Sequence, residues 1–90
     1  MIMFENEKIK ESFETFCEIS SNTGKYWSAN IVEWYDFMFE CADTKIKIPR
    51  KTLIVELVNR GCDHDCANVL GLHFDIGFES MIYCIDERME

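Results

Sequence analysis

The stretch Ile31 to Cys41, I-V-E-W-Y-D-F-M-F-E-C, restricts more than any other what this chain can fold into. At roughly 100° per residue its apolar side chains, Ile31, Val32, Trp34, Tyr35, Phe37, Met38, Phe39 and Cys41, sweep roughly 220° of a helix surface. Only Glu33, Asp36 and Glu40 mark a polar strip. A surface helix buries a stripe a little over about 100° wide, so this one has more to hide than a single packing layer covers. Two arrangements answer that need. The helix is central and wrapped by the rest of a small domain, or it faces its own core on one side and another molecule on the other.

Ninety residues make one domain, able to fold without staples but too small to enclose a deep substrate cavity beside a full core. An enzyme is therefore not expected. An apolar fraction of 48% with 13% aromatic residues indicates a globular fold rather than a disordered acidic tail. The formal net charge of -8 opposes direct binding to nucleic acid or anionic membrane and favours a basic partner surface, although acid also serves plain solubility. Five cysteines are an odd number, and the N-terminal M-I-M-F-E-N-E-K lacks a basic segment followed by a long apolar run, so reduced thiols in a cytoplasm are expected. No apolar run approaches the ~20 residues of a membrane span.

Taken in order, Glu5 to Ser21 reads as a first helix with Ile9, Phe13, Phe16 and Cys17 on its core face. Ser20 to Gly24 ends it, with Gly24 available as a left-handed cap. Lys25 to Trp27 connects to the central helix, which Ser28 or Asn30 caps; Asn30 and Glu33 have capping-box spacing. The central helix runs to about Ala42. Pro49 suits a first helical position for Arg50 to Arg60, and Gly61 suits its C-terminal cap. The rival is a hairpin of Lys45 to Ile48 with Leu53 to Val58, whose β-branched content favours strands. Helix is preferred, because a lone hairpin would leave an orphan two-stranded sheet. Asp63 caps a helix starting near His64 and running through Leu72. A last helix, Asp75 to Arg88, aligns Phe74, Phe78, Met81, Ile82, Ile85 and Met89, and leaves Ile76 and Tyr83 opposite as a second apolar contact. Gly71 and Gly77 weaken continuity between the two. The expectation is an all-α, single-domain bundle of about five or six short helices.

Chemistry-bearing motifs are sparse. Cys62, His64 and Cys66 in C-D-H-D-C, with His73 further on, are zinc-preferring ligand types, but structural zinc sites usually pair two short-spaced doublets and the second is missing. The simpler reading is a helix N-terminus with capping aspartates and two small apolar thiols. A cysteine nucleophile with His64 or His73 as base has no evident oxyanion hole or orienting third group. No phosphate-binding glycine loop or basic-aromatic RNA motif is present, so no catalytic residue, metal or other cofactor is expected.

The C-terminal segment F-D-I-G-F-E-S-M-I-Y-C-I-D, with Phe74, Gly77, Phe78 and Glu79 in an F-x-x-G-F-E pattern before an apolar helix, resembles the AsiA-like anti-sigma factors of T4-like bacteriophages. Chain length, the apolar pattern of Ile9 to Ile19, and Trp27, Trp34, Phe37, Met38 and Glu40 are similar as well. The resemblance implies a compact helical protein that binds region 4 of the primary bacterial sigma factor, remodels it and stops RNA polymerase reading the -35 promoter element, with a phage transcription activator as a further partner. Carried over by position, the sigma-binding face falls on Glu11, Ser12, Thr15, Glu18 and Ile19 of the first helix and on Phe37, Met38 and Cys41. That family's first helix is more apolar at the positions of Ser12, Thr15 and Glu18, which argues against the homodimer the family forms through this face. The Cys/His cluster is a second departure.

The reading that follows is a non-catalytic anti-sigma protein of the infected bacterial cytoplasm, joining acidic steering to buried apolar anchors. Two alternatives remain at this level: an acidic phage inhibitor or DNA mimic acting on a host nuclease or restriction system, and a small zinc-binding domain. A DNA mimic would want regularly spaced carboxylates with little exposed apolar surface. For an anti-sigma surface, Phe37 and Cys41 are expected to join Ile19 outside the core.

Overall fold

A computed structural model describes residues 6–23 and 26–88, and among them every regular element is helical. Four α-helices follow one another: α1 Glu7–Thr23, α2 Ile31–Thr44, α3 Arg50–Asn59 and α4 His64–Arg88, with a 3-10 turn at Trp27–Ala29 before α2. The all-α expectation holds, and the hairpin over Lys45 to Val58 is replaced by a loop and α3. The expected helix start at Glu5, the cap at Gly24, the connector residue Lys25 and the placement of Met89 lie outside the described residues.

The helix ends follow local chemistry. Asn6 Oδ1 accepts hydrogen bonds from the Lys8 and Ile9 amides at 2.9 and 3.2 Å, so α1 starts at Glu7. Asp63 Oδ2 caps α4 through the Asp65 amide at 3.0 Å and the Cys66 amide at 3.4 Å, as its sequence position predicts. At the end of α3 the Gly61 amide reaches the Val58 carbonyl and the Cys62 amide reaches that of Leu57, each at 3.0 Å. This paired closure needs a left-handed residue, and Gly61 supplies it with φ +106. The expected capping box at Asn30 and Glu33 does not form. Asn30 makes no side-chain cap bond; its Nδ2 donates to Ser20 Oγ at 2.9 Å, tying the end of α1 to the start of α2. Ser28 is likewise diverted, lying 3.7 Å from Cys66 Sγ.

The expectation of five or six short helices is corrected at α4, where the two expected segments join into one helix of 25 residues. An interior glycine costs about 1 kcal/mol relative to alanine, but tertiary packing overrides that penalty. A Cβ at Gly77 would overlap the end of the Met38 side chain, so this glycine gives the methionine of α2 room against α4. Phe74, between the two expected segments, is fully buried and holds the middle of α4 to the core.

That core is an aromatic cluster centred on Trp34. Its ring lies 4.8 Å from that of Phe16, 4.9 Å from Phe37, 6.3 Å from Phe13 and 6.5 Å from Phe74. Trp34 Nε1 donates to the Leu70 carbonyl at 3.0 Å, which satisfies its one buried polar atom. The Arg60 guanidinium sits 5.0 Å from the Phe13 ring centre, a cation–π contact at the edge of the cluster. The centre of the wide apolar arc of α2, Trp34, Phe37, Met38 and Cys41, is thus covered internally, with α1 on one side and α4 on the other.

Candidate partner-binding surface

The first helix turns Ile9, Phe13, Phe16, Cys17 and Ser20 inward, which leaves Glu11, Thr15 and Glu18 exposed and Ser12 and Ile19 half-buried along its outer flank. Helical spacing places these five beside one another, as expected for the α1 half of the face. Glu11, Ser12 and Thr15 meet Glu33 and Asp36 of α2 across an open cleft of about 260 Å³. Glu33 and Asp36 belong to the polar strip legible in the sequence, although the cleft they form with α1 is a tertiary feature.

The α2 half of the expected face is corrected. Phe37, Met38 and Cys41 are all 0% exposed. Phe37 packs against Phe13, Trp34 and Phe74, and Met38 against the backbone of α4 at Gly77. The arc is rotated from its expected direction, because α1 and α4 approach from the two sides of Phe37 and cover its centre. The apolar residues left outside are Val32, Tyr35 and Phe39, at 66%, 41% and 45% exposure. They were visible as members of the arc, but periodicity alone does not say which edge the neighbouring helices reach.

Charge is segregated across the molecule. Helix α2 carries Glu33, Asp36, Glu40 and Asp43 and no basic side chain. Among the described residues, the ion pairs lie elsewhere: Lys45 with Asp86 at 2.6 Å, Lys47 with Glu79 at 3.4 Å, Arg50 with Asp75 at 3.5 Å, and Arg60 with Glu56. These four bases pair with carboxylates of α4 and α3, and α1 carries Lys8 and Lys10 beside its own acids, so it is the carboxylates of α2 that keep their field for an approaching cation.

A second open groove, of about 240 Å³, separates α2 from the C-terminal part of α4 and is lined by Phe39, Ser80, Met81, Cys84 and Ile85. Ile76 and Tyr83 are exposed on the outside of α4, as their spacing predicts, in line with exposed Val69 and Leu72.

The Cys/His candidates are not brought together. Cys62 and Cys66 are buried while His64 and His73 are exposed. The Cys62 thiol donates to the Asp63 carbonyl, and His64 Nδ1 lies 3.0 Å from Asn68 Nδ2. No group of three potential ligands converges among the described residues. Burial pushes the thiols of Cys17, Cys41 and Cys62 up to about 12, so they stay protonated and weakly nucleophilic at neutral pH.

These shifts set an alkaline stability limit. Well below pH 9 the three thiols are protonated in both states and contribute no pH dependence. Between about 9 and 12 the unfolded chain ionises them while the native chain does not, so unfolding releases protons and stability falls as pH rises. Denaturant melts across this window are expected to show the decline, and Cys41→Ala is expected to reduce the number of protons released on unfolding by about one. An unchanged slope in Cys41→Ala would contradict the burial argument.

Among the described residues no helix is long and apolar enough to cross a membrane. Comparison with protein-family models, with curated proteins and with solved structures finds no match.

Proposed function

We propose that this chain is a non-catalytic anti-sigma protein that binds region 4 of the primary bacterial sigma factor and thereby inhibits or redirects host RNA polymerase at -35-dependent promoters in the cytoplasm of an infected bacterium. The observation that carries this reading is the acidic α1–α2 cleft, where Glu11, Glu33 and Asp36 meet and where α2 offers no basic side chain. A promoter-reading helix-turn-helix is basic, so such a cleft steers it in and sets its orientation. The F-x-x-G-F-E resemblance at Phe74 to Glu79 and the all-helical fold agree with the same reading. Exposed Val32, Tyr35 and Phe39 beside the carboxylates favour a protein partner over the role of a DNA mimic.

The test is titration of the full chain with an isolated region 4 domain, alongside transcription from a -35-dependent promoter. Wild type is expected to bind and to alter transcription. The double substitution Glu33→Lys with Asp36→Lys is expected to weaken binding by about tenfold or more and to flatten its salt dependence, because it reverses the steering field. Absence of binding by wild type, or unaltered binding by the double variant at low salt, would overturn the proposal.

A further inference from the structure

The solvent side of α2 is divided lengthwise. Val32, Tyr35 and Phe39 follow one another at spacings of three and four and fall within roughly 60° of the helix surface. Asp36, Glu40 and Glu33 fall on the adjoining arc toward α1, where Glu33 and Asp36 line the acidic cleft. At its Phe39 end the apolar row opens into the groove formed with Met81, Cys84 and Ile85 of α4. From this juxtaposition we infer that α2 is a docking ridge for an amphipathic helix of the partner, with apolar side chains along Val32, Tyr35 and Phe39 and lysines or arginines along the neighbouring carboxylates. The inference rests on reading the α1–α2 surface as a partner-binding face, and not on which protein supplies the helix.

Three properties select this occupant. The row spans about 10 Å along α2, the length of two helical turns, which matches apolar anchors at the corresponding spacing in a partner helix. No strand edge exists among the described residues, so an extended segment would find no backbone ladder, whereas a helix brings its backbone bonds with it. The charge is specified too. Among the described residues, no ion pair includes Glu33, Asp36 or Glu40, so the ridge presents acid to one edge of whatever lies on its apolar row. The exposed row on α4, Val69, Leu72, Ile76 and Tyr83, gives no such specification, because Asp75, Glu79 and Asp86 beside it already pair with Arg50, Lys47 and Lys45. At the end of the groove, Met81 is a flexible, polarisable side chain able to adapt to an inserted anchor.

The probe is a synthetic helix of about 20 residues built from leucine and lysine, with leucines at coiled-coil spacing and lysines along one edge. Its counterpart carries glutamate in place of lysine. Each is titrated into the isotopically labelled full chain and followed by NMR, with thermal melts confirming that every variant folds. Shifts are expected to centre on Val32 to Glu40 and on Met81 to Ile85, and the glutamate helix is expected not to bind. Phe39→Ser and the more exposed Val32→Ser are each expected to weaken binding by about fivefold or more, while Ile76→Ser on the outside of α4 leaves it unchanged. Shifts centred on Val69 to Ile76, equal binding of the glutamate helix, or wild-type affinity in both Phe39→Ser and Val32→Ser would overturn the inference. The region 4 domain, run against the same variants, separates the two claims. Region 4 binding that ignores Val32→Ser and Phe39→Ser overturns the ridge but leaves the anti-sigma reading intact. Binding of the lysine helix with the expected sensitivity, without binding of region 4, upholds the ridge and overturns the anti-sigma reading.

Discussion

Replacing Trp34 by alanine is expected to remove about 3–5 kcal/mol of stability, the range for deleting a buried large aromatic side chain. Trp34 is 0% exposed and has four aromatic neighbours from three different helices, so its loss opens a cavity that no single helix can collapse to fill. The substitution also removes the Nε1 bond to the Leu70 carbonyl, a hydrogen bond from the first turn of α2 to α4. Domains of this size have about 5–10 kcal/mol in total, so the variant should sit close to its folding threshold. Trp34→Phe isolates part of the effect. It retains most of the ring packing and loses the hydrogen bond, for an expected cost of about 1–2 kcal/mol. Urea melts followed by far-UV circular dichroism measure both. A Trp34→Ala midpoint close to wild type would contradict the placement of Trp34 at the centre of the core.

The second large effect is Phe37→Asp, which is expected to leave the free protein unfolded. Phe37 has no exposed surface, and its ring lies 4.9 Å from that of Trp34, 5.2 Å from Phe13 and 5.7 Å from Phe74. A carboxylate there must remain charged in apolar surroundings or take up a proton, and either route adds to the loss of the ring, for a total above about 4 kcal/mol. Tyr35→Asp is the informative contrast. It places the same charge on the same helix at a residue 41% exposed, and the protein is expected to stay folded with a melting temperature within a few degrees of wild type. The pair of melts tests the orientation of α2 directly. A folded Phe37→Asp protein beside an unfolded Tyr35→Asp protein would mean that the helix is turned the other way.

Apolar residues recurring at helical spacing, with cap residues at the segment ends, were enough to identify the helical class, the core positions Ile9, Phe13, Phe16 and Cys17, and the Asp63 and Gly61 ends of α4 and α3. Those features are local: a cap needs an acceptor one turn from free amides, and an inward face needs only the helical period. The α1 flank of Glu11, Ser12, Thr15, Glu18 and Ile19 and the carboxylate strip of α2 were legible for the same reason. What lay beyond the sequence was everything set by contacts between helices. Whether Asn30 caps α2 depended on Ser20 being within 2.9 Å of its amide. Whether the segments before Leu72 and after Asp75 formed one helix depended on Phe74 between them being drawn into the core. The apolar arc of α2 was certain from its composition, but its exposed edge was not. A helix with apolar groups over most of its circumference can turn nearly any side inward at similar local cost, so the positions of α1 and α4 decided that Phe37, Met38 and Cys41 are core and that Val32, Tyr35 and Phe39 face solvent.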